Sequence, residues 1–230
     1  MTDIVVVGGI KGGTGKTTLA VNLALMEAQQ EITTGKQGRT RKKNILLVDA
    51  DVQSTAQAFM KRREECGLET SFGCIKLEGF AVMAEISAIK HQYDTIIVDA
   101  GGGDTQSQRM ALAVADLFLV PFVPSPFDVW TISILDEMVS HAQEVNTKLK
   151  AFSFLNRVDS RGSDADDAAD TLSQFTNLKF SHVAIGSRKA FSRSVINGQG
   201  LIEFPHAPAR AKGELSFLHE FMEDKCHAPV

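Results

Sequence analysis

Residues 4–18 read Ile-Val-Val-Val-Gly-Gly-Ile-Lys-Gly-Gly-Thr-Gly-Lys-Thr-Thr. Residues 4–7 are a β-branched run stopped by Gly8 and Gly9, the pattern of a short strand buried on both faces. Residues 17–29 place Leu19, Leu23 and Met26 on one side of a helix. Between them lies a glycine-rich turn that leaves a strand, opens a helix and closes on Gly-Lys-Thr. Its glycines let successive N–H groups turn inward, and the helix start adds partial positive charge, so the turn is suited to cradling phosphate. Lys16 supplies a point charge to the β and γ phosphates, and the Thr17 hydroxyl is placed to ligate Mg2+. Gly12, Gly13, Thr14, Gly15 and Thr18 complete this nucleotide-binding loop.

The same strand pattern recurs at residues 45–48, 95–98, 117–120 and 151–155, alternating with helical stretches. Strands apolar on both sides and separated by helices predict a doubly wound, mostly parallel α/β sheet with helices on both faces, the P-loop NTPase architecture. Two of the strands run into acids: Val48-Asp49-Ala50-Asp51 and Val98-Asp99. The C-terminal ends of parallel strands share one edge, where ligands bind. Three carboxylates therefore meet the phosphate loop, with Asp99 in the Walker B position for holding Mg2+ through water. In the helix predicted over 127–147, Trp130, Ile134, Met138 and Val145 are expected to pack on the sheet.

The 230 residues carry 24 Lys+Arg against 28 Asp+Glu and are 43% apolar, which excludes a disordered or fibrous chain. The motifs surround one phosphate site, so a single domain over 1–230 is expected. A net charge of −4 gives no general pull toward nucleic acid, and any DNA contact needs a local basic patch. Cys66, Cys74 and Cys226 form no CxxC pair, which excludes a disulfide framework, gives no support for an iron–sulfur or zinc site and fits a reducing cytoplasm. No apolar run reaches the roughly 18 residues of a membrane span, and Gly8 and Gly9 cut the N-terminal run too short for a signal peptide. Two segments stand apart. Residues 36–43 hold five basic residues in eight, read as an exposed hairpin-like insertion. Residues 159–170 hold five Asp, read as a helix start with Ser163 as N-cap and Asp166 and Asp167 in the first turn.

Lys11, standing before the first glycine pair of Lys-Gly-Gly-Thr-Gly-Lys-Thr-Thr, makes the loop resemble the deviant Walker A motif of the ParA/MinD family of ATPases. The resemblance spans nearly the whole chain. Asp49-Ala50-Asp51-Val52-Gln53 is similar to the family's DxDPQ segment, with Val52 replacing Pro, and residues 94–102 resemble its Walker B strand and switch. Residues 115–121 and Pro124-Ser125-Pro126-Phe127-Asp128, then Leu155-Asn156-Arg157, then Arg188-Lys189-Ala190-Phe191 followed by Gly198 and Glu203, continue it in order. The resemblance implies ATP and Mg2+ as cofactors and an ATP-sandwich homodimer into which Lys11 reaches across. It implies a catalytic set of Lys11, Lys16 and Asp51, with Asp51 orienting the attacking water. Thr17, Asp49 and Asp99 would support the metal, Asn156 would read the adenine edge, and Arg157 would line that side.

Within the family, the cysteines lack the nitrogenase iron protein's pattern. The last helix sets Ala211, Leu215, Leu218 and Met222 on one face and Glu214, Glu220, Glu223 and Asp224 on its polar side, which would repel an anionic membrane. A first strand starting at residue 3 leaves no room for the operator-binding domain of long partition ATPases. The chain therefore resembles the small plasmid partition type most. The expected function is a weak, dimerising ATPase that binds DNA non-specifically and acts in plasmid partition or positioning with a plasmid-encoded adaptor or centromere-binding protein. Arg188, Lys189, Arg193 and the 36–43 segment are the candidate DNA contacts. The expected location is cytoplasmic, on the nucleoid when ATP is bound. The alternative is a nucleotide-dependent switch that positions a protein partner, such as a conjugation or polar-localisation factor, with little turnover.

Overall fold

The computed structural model describes residues 2–34, 38–103, 105–124, 129–159 and 163–228. In chain order the elements are β1 (Asp3–Gly9), α1 (Lys16–Glu27), β2 (Glu31–Thr34), β3 (Arg39–Lys42), β4 (Ile45–Asp49) and α2 (Thr55–Glu65). Then come β5 (Gly73–Lys76), α3 (Phe80–Ile89), β6 (Thr95–Gly102), α4 (Gln106–Leu112), β7 (Leu117–Phe122) and α5 (Val129–Val145). The chain closes with β8 (Lys150–Val158), α6 (Asp164–Leu172), β9 (Lys179–Gly186), α7 (Lys189–Ile196) and α8 (Ala209–His227).

Seven strands form one parallel sheet in the order β5-β4-β6-β1-β7-β8-β9. Successive side chains of a strand point to opposite faces, so a run of β-branched residues feeds two cores at once. Val5 and Val7 pack with Leu47 and Ile97 against α1 and α8. Ile4 and Val6 pack with Val48 and Val98 against α3, α4 and α5. The five strands read from the sequence are all present. Two more, β5 and β9, flank them; as sheet edges they are only partly buried and lack the continuous apolar run that marks the others.

The basic stretch lies in a separate antiparallel hairpin, β2 with β3, pairing Glu31 with Lys42 and Thr34 with Arg39. Lys36 and Gln37 lie outside the described residues, as do residues 125–128 of the Pro-Ser-Pro-Phe-Asp segment. In α5 the expected packing face needs correction. Ile132, Leu135, Met138 and Val139 are buried, whereas Ile134 and Val145 are 51% and 78% exposed. The buried stripe steps three residues from Ile132 to Leu135 and then three and four to Met138 and Val139, which turns Ile134 outward; the Trp130 side chain lies outside the described residues. Ser163 does sit at the N-cap of α6, with Asp164, Asp166 and Asp167 in the first turn, but its side chain makes no capping bond to the backbone. Helix α8 packs as expected, burying Ala211, Leu215, Leu218 and Met222. Among the described residues no helix is long and apolar enough to cross a membrane.

A buried ionic knot holds the end of the sheet remote from the glycine loop. Glu27, the last residue of α1, lies 2.6 Å from His219 Nε2 of α8 and accepts from Lys43 Nζ (2.8 Å) and Thr95 Oγ1 (2.9 Å). Lys43 also donates to Glu223 (3.0 Å), so one ammonium joins α1 and α8 just before β4. Burial pushes the Glu27 carboxyl up, but the hydrogen bonds from His219 and Lys43 outweigh it and hold the group at about 2. A carboxylate held below its ordinary range stabilises the fold above that range, and the gain is lost as pH falls from about 4.5 toward 2. Lys43→Met strands Glu27 without its cation and should cost about 3 kcal/mol at pH 7. In urea titrations the gap between variant and parent should shrink at pH 3, and an equal gap at both pH values would exclude this role.

Candidate functional site

The glycine loop runs from Gly9, at the end of β1, to Lys16, at the start of α1. Gly15 caps α1 with φ 95°, a backbone region that a side chain disfavours, and a Cβ there would stand 2.6 Å from Asn156 Nδ2. Asn156 is buried at the end of β8 and donates to the Thr14 carbonyl at 2.6 Å. At the other end of the loop the Gly9 N–H donates to Gln108 Oε1 (2.8 Å), and Gln108 is fully buried in α4. Two buried amides thus fix the loop at both ends. Lys16 is only 6% exposed and reaches across it to donate to the Lys11 carbonyl at 2.8 Å. Burial lowers the Lys16 ammonium below its ordinary range, while Asp99 and Asp51 pull it back up. Lys11 stands exposed at the mouth of the same loop.

The acids arrive as the parallel register requires. Asp49 of β4 and Asp99 of β6 are register partners, and Asp99 also pairs with Val7 of β1. Their environments differ. Asp49 Oδ1 accepts from the Asp51 N–H (3.2 Å) and Oδ2 from the Gln57 N–H (3.0 Å), so its carboxylate holds the turn into α2. Asp99 is fully buried, and neither oxygen has a hydrogen-bond partner among the described residues. Burial, with Asp49 and Asp51 nearby, pushes its carboxyl up to about 7, against the opposing pull of the Thr17 hydroxyl and Lys16. A buried, unpartnered carboxyl beside a threonine hydroxyl and two further acids is a donor set that fits Mg2+. Asp51 is half-buried against Gly101, where an added Cβ would fall 2.7 Å from Asp51 Oδ1. Gly101 therefore leaves room for the Asp51 carboxylate at the cleft.

The loop and Asp51 line a cleft of about 630 Å3 together with Val52, Gln53, Gly102 and Thr105, while Asp49 and Asp99 lie buried behind it. A second cavity of about 240 Å3 adjoins it beyond Gly15, bounded by Asn156, Arg157, Arg188 and Phe191. Arg157, with φ 56°, borders both. The structure thus gathers Gly12, Gly13, Thr14, Gly15, Lys16, Thr17, Thr18, Asp49, Asp51 and Asp99 in one place, and sets Asn156 and Arg157 beside them.

The candidate DNA contacts separate. Lys189 and Arg193 are exposed on α7 at i, i+4 spacing. Arg188 is not part of that face: its guanidinium forks onto Glu214 at 2.5 and 3.1 Å. The hairpin is less cationic than its sequence suggests. Arg41 forks onto Asp94 (2.6 and 2.9 Å), Lys43 belongs to the Glu27 knot, and Lys42 stands opposite Glu31. Gln108 and the contact role of Gly101 escaped sequence reasoning. The first partners a loop ninety-nine residues away and the second a side chain fifty residues away, so neither leaves a local trace in the sequence.

Comparison with known proteins finds relatives along nearly the whole chain. Residues 5–202 match the profile of the CobQ/CobB/MinD/ParA nucleotide binding domain. The chain is 22% identical over 211 residues to the Maintenance of carboxysome distribution protein A of Halothiobacillus neapolitanus, covering 91% of each. Its fold superposes on McdA of Cyanothece in complex with ATP with TM-score 0.74 and 15% identity, covering 100% of this chain and 98% of that one. A Borrelia burgdorferi B31 protein assigned to plasmid partition and bound to AMPPNP superposes with TM-score 0.73 and 17% identity, covering 97% and 100%.

The state of Asp99 can be read without any ligand. A buried carboxyl held above its ordinary range destabilises the fold as pH rises from about 4 to about 7, because the unfolded chain ionises first. Asp99→Asn should therefore raise the unfolding free energy of the nucleotide-free protein by about 1–2 kcal/mol at pH 8, with little gain at pH 5. Chemical denaturation at the two pH values measures it, and a loss of stability at pH 8 would overturn the assignment.

Proposed function

The chain belongs to the CobQ/CobB/MinD/ParA nucleotide-binding family, and on that premise we propose that it is an ATP- and Mg2+-dependent positioning ATPase. It would cycle between a single and a paired state to distribute a protein partner or assembly in the cytoplasm. One observation carries this reading: the loop has two lysines in opposite situations. Lys16 is buried within the loop, while Lys11 stands exposed at its mouth. A cation facing outward beside a nucleotide suits the phosphates of a facing subunit, where two stacked nucleotides concentrate negative charge.

In this mechanism Lys16 and the loop N–H groups bind the phosphates, and Thr17, Asp49 and Asp99 would hold Mg2+, whose charge would offset that developing on the phosphoryl oxygens. Asp51 accepts a hydrogen bond from the attacking water and orients it toward the γ phosphate. Asn156 and Arg157 face the base. The partner-positioning reading is favoured because a relative named for carboxysome distribution aligns along 91% of both chains. A second reading, a DNA carrier acting in plasmid partition, draws on Lys189 and Arg193, whose exposed pair would be doubled when two copies meet.

Lys16→Ala should abolish nucleotide binding measured by calorimetry. Lys11→Ala should bind ATP within about threefold of the parent yet stay monomeric by light scattering, a change well under 1 kcal/mol in affinity. Equal loss of affinity in both variants would sink the facing-subunit role. DNA binding with ADP, ATP and a slowly hydrolysed analogue at two salt concentrations separates the readings. If ATP does not strengthen binding, or salt does not weaken it, the DNA carrier fails and the protein partner stands.

A further inference from the structure

Asp51 lies in a tight turn between β4 and α2, and that turn is under strain. Ser54, the residue before α2, adopts φ 52° and ψ 38°, a left-handed conformation that costs about 1 kcal/mol for a residue with a side chain. Within the turn, the Asp51 N–H donates to Asp49 Oδ1 (3.2 Å), the Asp51 carbonyl accepts from the Ser54 N–H (3.0 Å) and Asp51 Oδ1 accepts from the Gln53 N–H (3.1 Å). All three contacts come from neighbours three residues away or fewer, so they move with the turn.

Among the described residues, one polar contact reaches the Asp51 backbone from elsewhere. Lys76, the last residue of β5, is the register partner of Asp49. Its ammonium donates to the Asp51 carbonyl and lies 3.6 Å from Asp49 Oδ1 and 3.3 Å from Glu78 Oε1. The group is largely shielded from solvent and sits beside two carboxylates, those of Asp49 and Glu78, so its charge acts at short range. On the opposite side, the Asp51 carboxylate is seated against Gly101. Lys76 and Gly101 thus hold the residue from two strands.

We propose that Lys76 is the positioning residue for Asp51. By fixing the Asp51 carbonyl to β5 it holds the strained turn, so the carboxylate stays against Gly101 and faces the cleft. Its positive charge also offsets the mutual repulsion of Asp49 and Asp51. Lys76 does not line the nucleotide cleft, so its effect falls on turnover and not on nucleotide affinity. The proposal rests on the hydrolytic reading given above.

The test compares Lys76→Met, which keeps the stem and removes the ammonium, with Lys76→Arg, which keeps the charge. In the nucleotide-free protein, amide exchange over residues 51–54 should quicken at least tenfold in Lys76→Met and by less in Lys76→Arg. With ATP, kcat should fall at least tenfold in Lys76→Met while the Kd for ATP stays within threefold, and Lys76→Arg should recover part of kcat. Unchanged exchange overturns the proposal, whatever the activity. So does a joint loss of kcat, affinity and denaturation midpoint, because that is the signature of general damage. If the parent protein itself shows no turnover, the hydrolytic reading fails, while the exchange comparison still decides whether Lys76 holds the turn.

Discussion

The register between β4 and β6, which sets Asp49 beside Asp99, constrains everything at the nucleotide edge. Parallel strands cannot slip by one residue without turning every side chain to the wrong face, and both faces here are packed. The alternation of Val48 and Leu47 between the two cores therefore determines where the acids emerge. Once they emerge side by side, their fates diverge. Asp49 accepts from N–H groups of the turn that follows it, while neither oxygen of Asp99 has a hydrogen-bond partner among the described residues. Two neighbouring carboxylates at one sheet edge thus come to differ: one also braces the turn into α2, and the other does not.

Much of this is legible in the sequence alone. Apolar strands and a glycine loop ending in Gly-Lys-Thr are short-range signals, and they located the sheet, its loaded edge and the phosphate cradle. What escaped was set by tertiary contact. The outer strands β5 and β9 are half-covered and carry no continuous apolar run. Gln108 holds the loop from ninety-nine residues away, a partnership that local sequence cannot express. Ile134 shows the opposite error: an apolar residue assigned to the core on composition stands outside because its phase on α5 is wrong.

The basic residues illustrate how charge density in a sequence differs from charge on a surface. Five cations crowd residues 36–43, yet Arg41 and Lys43 are committed to Asp94 and Glu27. Arg188 is likewise committed to Glu214, which also accepts from the Gly186 N–H and so ties α8 to the end of β9. Lys189 and Arg193, with a less conspicuous sequence, are the ones α7 displays. The family's C-terminal signature also acquires a physical meaning. Glu203 meets Arg63 of α2 through two bonds of 2.7 Å, and Gly198 passes so close to the Arg63 backbone that a Cβ would fall 2.7 Å from its Cα. The helix that follows Asp51 is therefore bound to the segment that follows α7, and the two surfaces belong to one mechanical unit.

The unpartnered carboxyl of Asp99 also bears on how long a molecule survives. A group that is satisfied only in the liganded state makes the empty protein the weaker one, and ligand binding then protects by mass action. Proteases acting on transiently opened chains sample the empty form more often, because their access follows the population of open states. Ligand occupancy at this edge would thereby be read out as resistance to proteolysis, a consequence of one side chain and not of a separate device.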